Sequence, residues 1–493
     1  MLVAERHENE RLRQIIKEMQ RHRFGRRAET LPEDQLLLAL EEADQVVAAA
    51  EAESEQEAPA ERAVHAARRR TNRGSLPTHL PRVEMVVDIE DHACPCCRGA
   101  LHRIGEDVSE RLDIVPAQFR VLVVRRPKYA CRACEDVVVQ APAPARLIEG
   151  GLPTEATVAQ VLVSKYADHL PLYRQAQIYA RQGINLDRST LADWVGRAAW
   201  LLRPVHERLL MKLKGSAKLF ADETTAPVLD PGRGRTKTGQ LWAYARDDRP
   251  WGGTDPPGVV YVYAPDRKAE RPIAHLAGFK GVLQVDGYGG YRVLADRGGV
   301  MLAFCWSHVR RRFYELAAVG SAPIASEALE RIAGLYRIES EIRGHKPDER
   351  RAVRQEKSRS ITDALEPWLR EKLGLISQKT KLAEAIRYTL SRWQGLTRFI
   401  DDGRVEIDSN VVERAIRPIA LNRKNALFAG SDGGGEHSAI IASLIETCKL
   451  AGVDPQTYLA EVITRIVNSQ PNSRIDELLP WAYVPANVLK AVA

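Results

Sequence analysis

Three acidic residues stand where their carboxylates could be brought together: Asp222 in KLFADETT, Asp286 in GVLQVDGYGGY and Glu413 in VEIDSNVVERAIRP. The first two close apolar, strand-like runs, and the third lies on a helical pattern. Carboxylates gathered this way can hold two divalent cations, Mg²⁺ or Mn²⁺. Such an ion pair catalyses in-line displacement at phosphodiesters. Each acid also has a plain structural reading. Asp222 could cap a turn with Thr224, leaving Glu223 as the ligand. Asp286 before Gly287 could be a turn residue, and Glu413 could pair with Arg417 one helical turn on.

The elements that must position these acids are legible in outline. Past residue 215, strand-like runs at 218–221, 240–245, 259–263, 281–285 and 300–304 are separated by turns and by one helix near 268–276. Three strands, a helix, a fourth strand, a short helix and a fifth strand is the order of a ribonuclease H-like mixed α/β sheet. There the first and fourth strands are neighbours, so Asp222 and Asp286 would meet at strand ends, where open sheets place their ligands. Residues 308–400 read as a charged helical insertion before the last helix. In that helix Val412, Ala415, Ile416 and Ile419 form an apolar face beside Glu413. Asp408 or Ser409 can cap it, and Pro418 is expected to limit or kink it.

A chain of 493 residues is too long for one simple core. We read a multidomain α+β organisation: an N-terminal helical region at 1–51, a basic linker at 52–85, and a zinc-binding domain at 86–140. A helical DNA-binding region at 150–212, the catalytic domain at 213–430 and a C-terminal helical region at 431–493 follow. In the first region, Leu2, Asn9 and Ile16 fall on one heptad position and Glu5, Leu12 and Met19 on the other, which suits a short coiled coil or an ordinary amphipathic helix. The pairs Cys94–Cys97 and Cys131–Cys134 flank a β-rich stretch and fit one structural Zn²⁺ in a four-cysteine ribbon, with Cys96 an ambiguity in the first pair and free or redox-active thiols the other reading. The segment LPLYRQAQIYARQG, a turn and TLADWVGRAAWLL suggest a helix-turn-helix that would present Arg188, Thr190, Asp193 and Arg197 to a groove; a packing role is the other outcome.

The formal net charge is +7. More telling are the basic clusters at 21–27, at Arg68, Arg69, Arg70 and Arg73, at Arg310, Arg311 and Arg312, and at Arg423 and Lys424. Together they favour a polyanionic partner, with solvated surface charge the bland reading of any one. No apolar run approaches the roughly 18 residues needed to span a bilayer, and the charged start carries no signal-peptide core. A cytoplasmic protein without a membrane partner is the expectation.

At these residues the chain resembles the insertion sequence 66 family of bacterial transposases, of the DDE class. The resemblance runs through nearly the whole chain: FGRR, the cysteine pairs around GEDVSERLDIVPAQF, VSKYADHLPLYRQ, ADET, LDPGRGRTKTGQLWAYARDDRP, VDGYGGY, CWSHVRRRF, RKNALFAGSDGGG and ELLPW. It implies a transposase that binds the terminal inverted repeats of its element and joins them to target DNA, with catalytic residues Asp222, Asp286 and Glu413. It also implies assembly of two or more copies on DNA and possible accessory proteins from the same element. Cys305 and His308 resemble a Cys-x2-His marker of several DDE groups that supports the active site, with a buried structural pair as the alternative. The chain departs from the family in having Asp408-Ser409-Asn410 where Asp-Asn-Asn is usual, and its start looks shorter. A catalytically decayed zinc-containing DNA-binding protein, or a nuclease without end preference, are the competing functions.

Overall fold

The computed structural model describes Arg82, Arg98 and residues 118–130, 138–230, 235–318 and 320–484. The N-terminal helical region, the four zinc-ribbon cysteines and Arg68, Arg69 and Arg70 lie outside the described residues. The chain divides into two compact units, 1–118 and 119–493, and the second carries everything that follows.

It opens with a two-stranded antiparallel ribbon, β1 (Lys128–Ala130) and β2 (Val138–Gln140). Three helices come next: α1 (Glu155–Tyr166), α2 (Leu172–Ala180) and α3 (Arg188–Lys214). Thr154 caps α1 by accepting from the Thr157 amide. The central sheet is then laid down by β3 (Lys218–Asp230), β4 (Arg235–Arg246), β5 (Gly258–Ala264), helix α4 (Glu270–His275), β6 (Gly281–Val285), helix α5 (Gly289–Asp296) and β7 (Val300–Phe304). Strand order is β5-β4-β3-β6-β7. The β3–β4 and β4–β5 pairs are antiparallel, and the β3–β6 and β6–β7 pairs are parallel.

Helices α6 (Trp306–Ala317), α7 (Pro323–Glu341), α8 (Pro347–Val353), α9 (Arg359–Leu375), α10 (Lys381–Leu390) and α11 (Trp393–Asp401) intervene before α12 (Asn410–Ala426). Two more, α13 (Asp432–Ala451) and α14 (Pro455–Val467), follow it. Pro418 does not end α12, which runs on to Ala426. Having no N–H, Pro418 leaves the Arg414 carbonyl without its usual i→i−4 donor. The Tyr261 hydroxyl donates to the adjacent Ala415 carbonyl at 2.5 Å, so β5 supports the helix where the proline weakens it.

Alternation along the strands divides the core into two faces. On one, Leu219, Ala221, Trp242, Tyr244, Leu283 and Val285 pack against α1, α3, α13 and α14. On the other, Phe220, Leu241, Ala243 and Ala245 meet Val412 and Ile419 of α12. A third cluster joins Val282 and Ala303 to α6, α7 and α9–α11. That helical subdomain is keyed by two fully buried arginines. Arg354 forms a fork on Glu339, with bonds of 2.7 and 2.6 Å, and donates to the Phe399 carbonyl at 2.8 Å. Arg350 bridges Glu339 at 3.4 Å and Glu406 at 2.8 Å.

Removing one partner of a buried charge network strands the others away from water. Glu339→Leu should therefore lower unfolding free energy by about 3–5 kcal/mol in urea titration. Glu384→Ala, which removes the exposed partner of Arg312, should cost no more than about 1 kcal/mol.

Candidate active site

The parallel ladder between β3 and β6 pairs Lys218 with Val282, Leu219 with Leu283 and Phe220 with Gln284. Two residues beyond its last pair, each strand presents its aspartate on the same face, since side chains alternate with period two. Asp222 and Asp286 thus meet because of register. Each is fixed by a backbone amide: Asp222 Oδ1 accepts from Glu223 N–H at 2.8 Å, and Asp286 Oδ1 from Tyr288 N–H at 2.9 Å. The turn reading of Asp286 therefore describes a real bond. The Thr224 hydroxyl oxygen, by contrast, accepts from Arg423 at 2.8 Å.

Gly287 continues the Asp286 turn with φ +105°, and a Cβ there would stand 2.5 Å from Arg392 Nε. Only glycine tolerates both conditions. Arg392 donates to the Gly287 carbonyl at 3.2 Å, and the Tyr388 hydroxyl to the Asp286 carbonyl at 2.8 Å. The Tyr388 ring lies under two guanidinium groups, Arg312 at 4.0 Å and Arg392 at 3.9 Å. The far helices thus hold the backbone of the second aspartate.

Glu223, one residue along β3, points to the opposite face. Its side chain is 2% exposed and is gripped by Arg267, whose Nε donates at 2.8 Å, and by the Tyr291 hydroxyl at 3.0 Å. Carboxylate oxygens of Asp222, Glu223 and Asp286 all lie within 4.8 Å of one another. Glu413 falls outside that group. It stands in a second one with Cys305 and His308, again within 4.8 Å. His308 Nε2 is 3.2 Å from Glu413 Oε1, close enough for an ion pair, yet too poorly aligned to count as a hydrogen bond, so the nitrogen is otherwise unsatisfied. Ser409 occupies the N-cap position of α12 without capping an amide, and its hydroxyl reaches Glu413 at 3.4 Å. Asp408 takes the capping bonds, accepting from the Asn410 backbone N–H at 3.2 Å and side-chain amide at 2.7 Å. Cys305 is buried, and its sulfur accepts from the Ser409 N–H at 3.2 Å.

The electrostatics follow from this geometry. Burial, then the facing Asp286 carboxylate, push the Asp222 carboxyl up to about 7; Glu223 and Glu413 add to the rise, against the Glu223 amide bond. His308 holds Glu413 below the usual carboxylate range, and Glu413 in turn raises His308. Burial raises Glu223 despite Arg267. A pair of hard oxygen donors so close that one resists ionisation is the donor set a divalent cation relieves. The residues present fit such an ion.

The other residues singled out in the sequence are dispersed. Arg310 and Arg311 are exposed on α6, and Arg311 lies one turn from His308. Arg423 is tied to β3, donating to Thr224 and to the Thr225 hydroxyl at 2.9 Å, while Lys424 is exposed. Arg188 is exposed at the start of α3, and Arg197 pairs with Asp193 at 2.8 Å. The buried face of α3 packs Leu191, Trp194, Val195 and Ala198 into the core. Sequence reasoning missed Arg267, Tyr291, Tyr388, Arg392 and Gln284. Only Gln284 left a signal, a polar residue inside the apolar run GVLQV.

Comparison with known proteins agrees with this architecture. Residues 150–437 match the profile described as the transposase IS66 family. Residues 91–135 match the zinc-finger binding domain of transposase IS66, 443–481 the IS66 C-terminal element, and 11–85 a region described as transposase C of IS166 homeodomain. The chain belongs to the IS66 family of transposases. Among its relatives in Sinorhizobium fredii, the uncharacterized protein y4jD is 50% identical over 417 residues, covering 83% of this chain and 82% of its own. The uncharacterized protein y4qI is 46% identical over 498 residues, covering 98% of this chain and 91% of its own. No helix among the described residues is long and apolar enough to cross a membrane.

Two outcomes follow from the raised Asp222. Its carboxyl must lose a proton to bind a cation. Mn²⁺ affinity measured by calorimetry should therefore climb about tenfold per pH unit below the Asp222 value and flatten above it. The folded value exceeds that of an unfolded aspartate, so the stability this group contributes is full in acid and is lost as pH rises towards 7. Asp222→Asn should accordingly raise the stability of metal-free protein at pH above neutrality by about 1–3 kcal/mol. A lower melting temperature for this variant would refute the assignment.

Proposed function

We propose that this chain is a DNA transposase that cleaves the ends of its insertion element and joins them to target DNA. Asp222, Asp286 and Glu413 would be its catalytic carboxylates and would hold two Mg²⁺ or Mn²⁺ ions. The observation that carries this reading is the β3–β6 register, which sets two aspartates on one sheet face opposite the first turn of the helix bearing Glu413. The sheet order, with three antiparallel strands followed by two parallel ones, supports a ribonuclease H-like core. When bound, the ions supply Lewis-acid stabilisation of the attacking and leaving oxygens.

The protein's own contribution is positional. Asp222 and Asp286 keep fixed rotamers through their backbone amide bonds. His308 and Ser409 hold the Glu413 carboxylate. Tyr388 and Arg392 keep the Asp286 turn from moving as DNA binds. Arg310 and Arg311 beside the site, with Lys424, would take phosphates, and Arg188 would serve end recognition on α3. Arg423 is better read as a brace between α12 and β3. Cys94, Cys97, Cys131 and Cys134 would hold one structural Zn²⁺. Arg68, Arg69 and Arg70 would add phosphate contacts in the linker. Two ends must be cut and joined together, so a homo-oligomer on DNA is part of the reading, with accessory proteins of the same element as possible partners. Ser409 does not disable the site on this view, because its hydroxyl lies against Glu413.

The test is strand transfer of labelled inverted-repeat DNA with Mg²⁺, comparing the parent protein with Glu413→Gln. The parent should form joined products. The variant should lose activity by more than about 100-fold, beyond the range seen when only an outer partner of a metal ligand is removed. End-specific binding with no products from either protein would instead indicate a decayed DNA binder. Cutting without regard to end sequence would indicate a nuclease.

A further inference from the structure

Between α11 and α12 the chain crosses the sheet face as an irregular segment of turns and bends, residues 404–409, and delivers Glu413 one turn later. Three of its alternate carbonyls are taken by side chains rising from the sheet. Lys218 Nζ on β3 donates to the Arg404 carbonyl at 2.8 Å. Gln284 on β6 spends both amide protons on the next two, donating from Nε2 to the Glu406 carbonyl at 2.7 Å and to the Asp408 carbonyl at 3.0 Å. The Trp306 amide completes the grip from the first residue of α6, donating to Ile407 O at 3.0 Å. The segment therefore behaves as a strap whose register against the sheet is set by side chains.

Gln284 is fully buried, and its Oε1 has no hydrogen-bond partner among the described residues. An apolar residue would avoid that orphan, so local packing alone does not account for an amide here. Its position does. Gln284 is the last β6 partner of β3, paired with Phe220, and it shares a sheet face with Asp286 two residues later. One side chain thus links the strand carrying the second aspartate to the backbone that starts the helix of Glu413.

We propose that Gln284 is the positioning residue that sets the separation between Glu413 and the aspartate pair. It acts through the Glu406 and Asp408 carbonyls and touches no reacting atom. The inference rests on the metal-binding reading of the three acids only for its consequence. The anchoring of the strap is independent of that reading.

The experiment uses the full chain and Gln284→Met, which keeps length and apolar bulk but removes both donors. Hydrogen exchange read by mass spectrometry should show 404–413 exchanging at least about tenfold faster in the variant, with β3, β6 and β7 unchanged. In parallel, Fe²⁺ with ascorbate and peroxide cleaves backbone near bound iron. The parent should be cut near 222, 286 and 413, and Gln284→Met should keep the first two cuts and lose the third. Mg²⁺ needed for half-maximal strand transfer should rise about 10–100-fold, the range for outer partners of metal ligands.

Unchanged exchange over 404–413, or equal loosening of the whole sheet, would overturn the proposal. If the parent shows no iron cut near 413 while exchange rises in the variant, the metal reading fails and the anchoring by Gln284 stands. Should Gln284→Met not fold, Gln284→Asn withdraws the same donors by one methylene and is read by the same exchange criterion.

Discussion

The structure is organised around a repulsion. Parallel pairing of β3 with β6 is set by apolar side chains on both faces, and its register leaves Asp222, inside the longer β3, beside Asp286, just past the end of β6. Sliding one strand by a single residue would turn its whole apolar set to the wrong face, so the sheet cannot relieve the contact. Burial, and after it this contact, raise the Asp222 carboxyl. A site that opposes its own ionisation is costly for the empty protein and receptive to a cation, and both follow from the same register.

Rigidity around that pair comes from distant elements. The buried arginines of the helical subdomain tie α7 and α8 to Glu406 on the strap. Tyr388 and Arg392 then reach back to the carbonyls of Asp286 and Gly287. A segment that looks in sequence like a charged insertion is therefore fastened to the site at two points, one for each half. Charge here serves the interior: Arg350 and Arg354 are among the largest fully buried side chains, which is sustainable only because each has carboxylate or carbonyl partners in place.

What could be read from sequence divides along lines of range. The strands were legible because alternation and apolar runs are local, and the meeting of Asp222 with Asp286 followed once β3 and β6 were neighbours. The extent of α12 was misjudged at Pro418, since the support offered by Tyr261 comes from a strand far away in sequence. The pairing of Glu413 with His308 required knowing that α6 and α12 begin side by side. Arg423 read as a DNA contact because a basic pair at a helix end looks solvent-facing, whereas two threonines of β3 already occupy it. Arg267 and Tyr291 left no pattern at all, because their bonds to Glu223 join a loop and helix α5 to a strand far away in sequence. Gln284 did leave one, as a polar side chain where the strand needed an apolar one.

The partition of acids in the metal-free protein is itself informative. Asp222, Glu223 and Asp286 lie within 4.8 Å of one another, and Glu413 is near enough to add to the rise at Asp222. The fold gives two of them nitrogen partners: Glu223 is paired with Arg267, and Glu413 stands against His308. Asp222 and Asp286 remain facing each other, and burial together with that contact raises the Asp222 carboxyl. Of the two guarded acids, Glu223 is almost wholly enclosed and doubly bound, while Glu413 is held by a single misaligned nitrogen and a long hydroxyl contact. On the proposed metal-binding reading, that weaker hold would leave Glu413 freer than Glu223 to turn towards the aspartates.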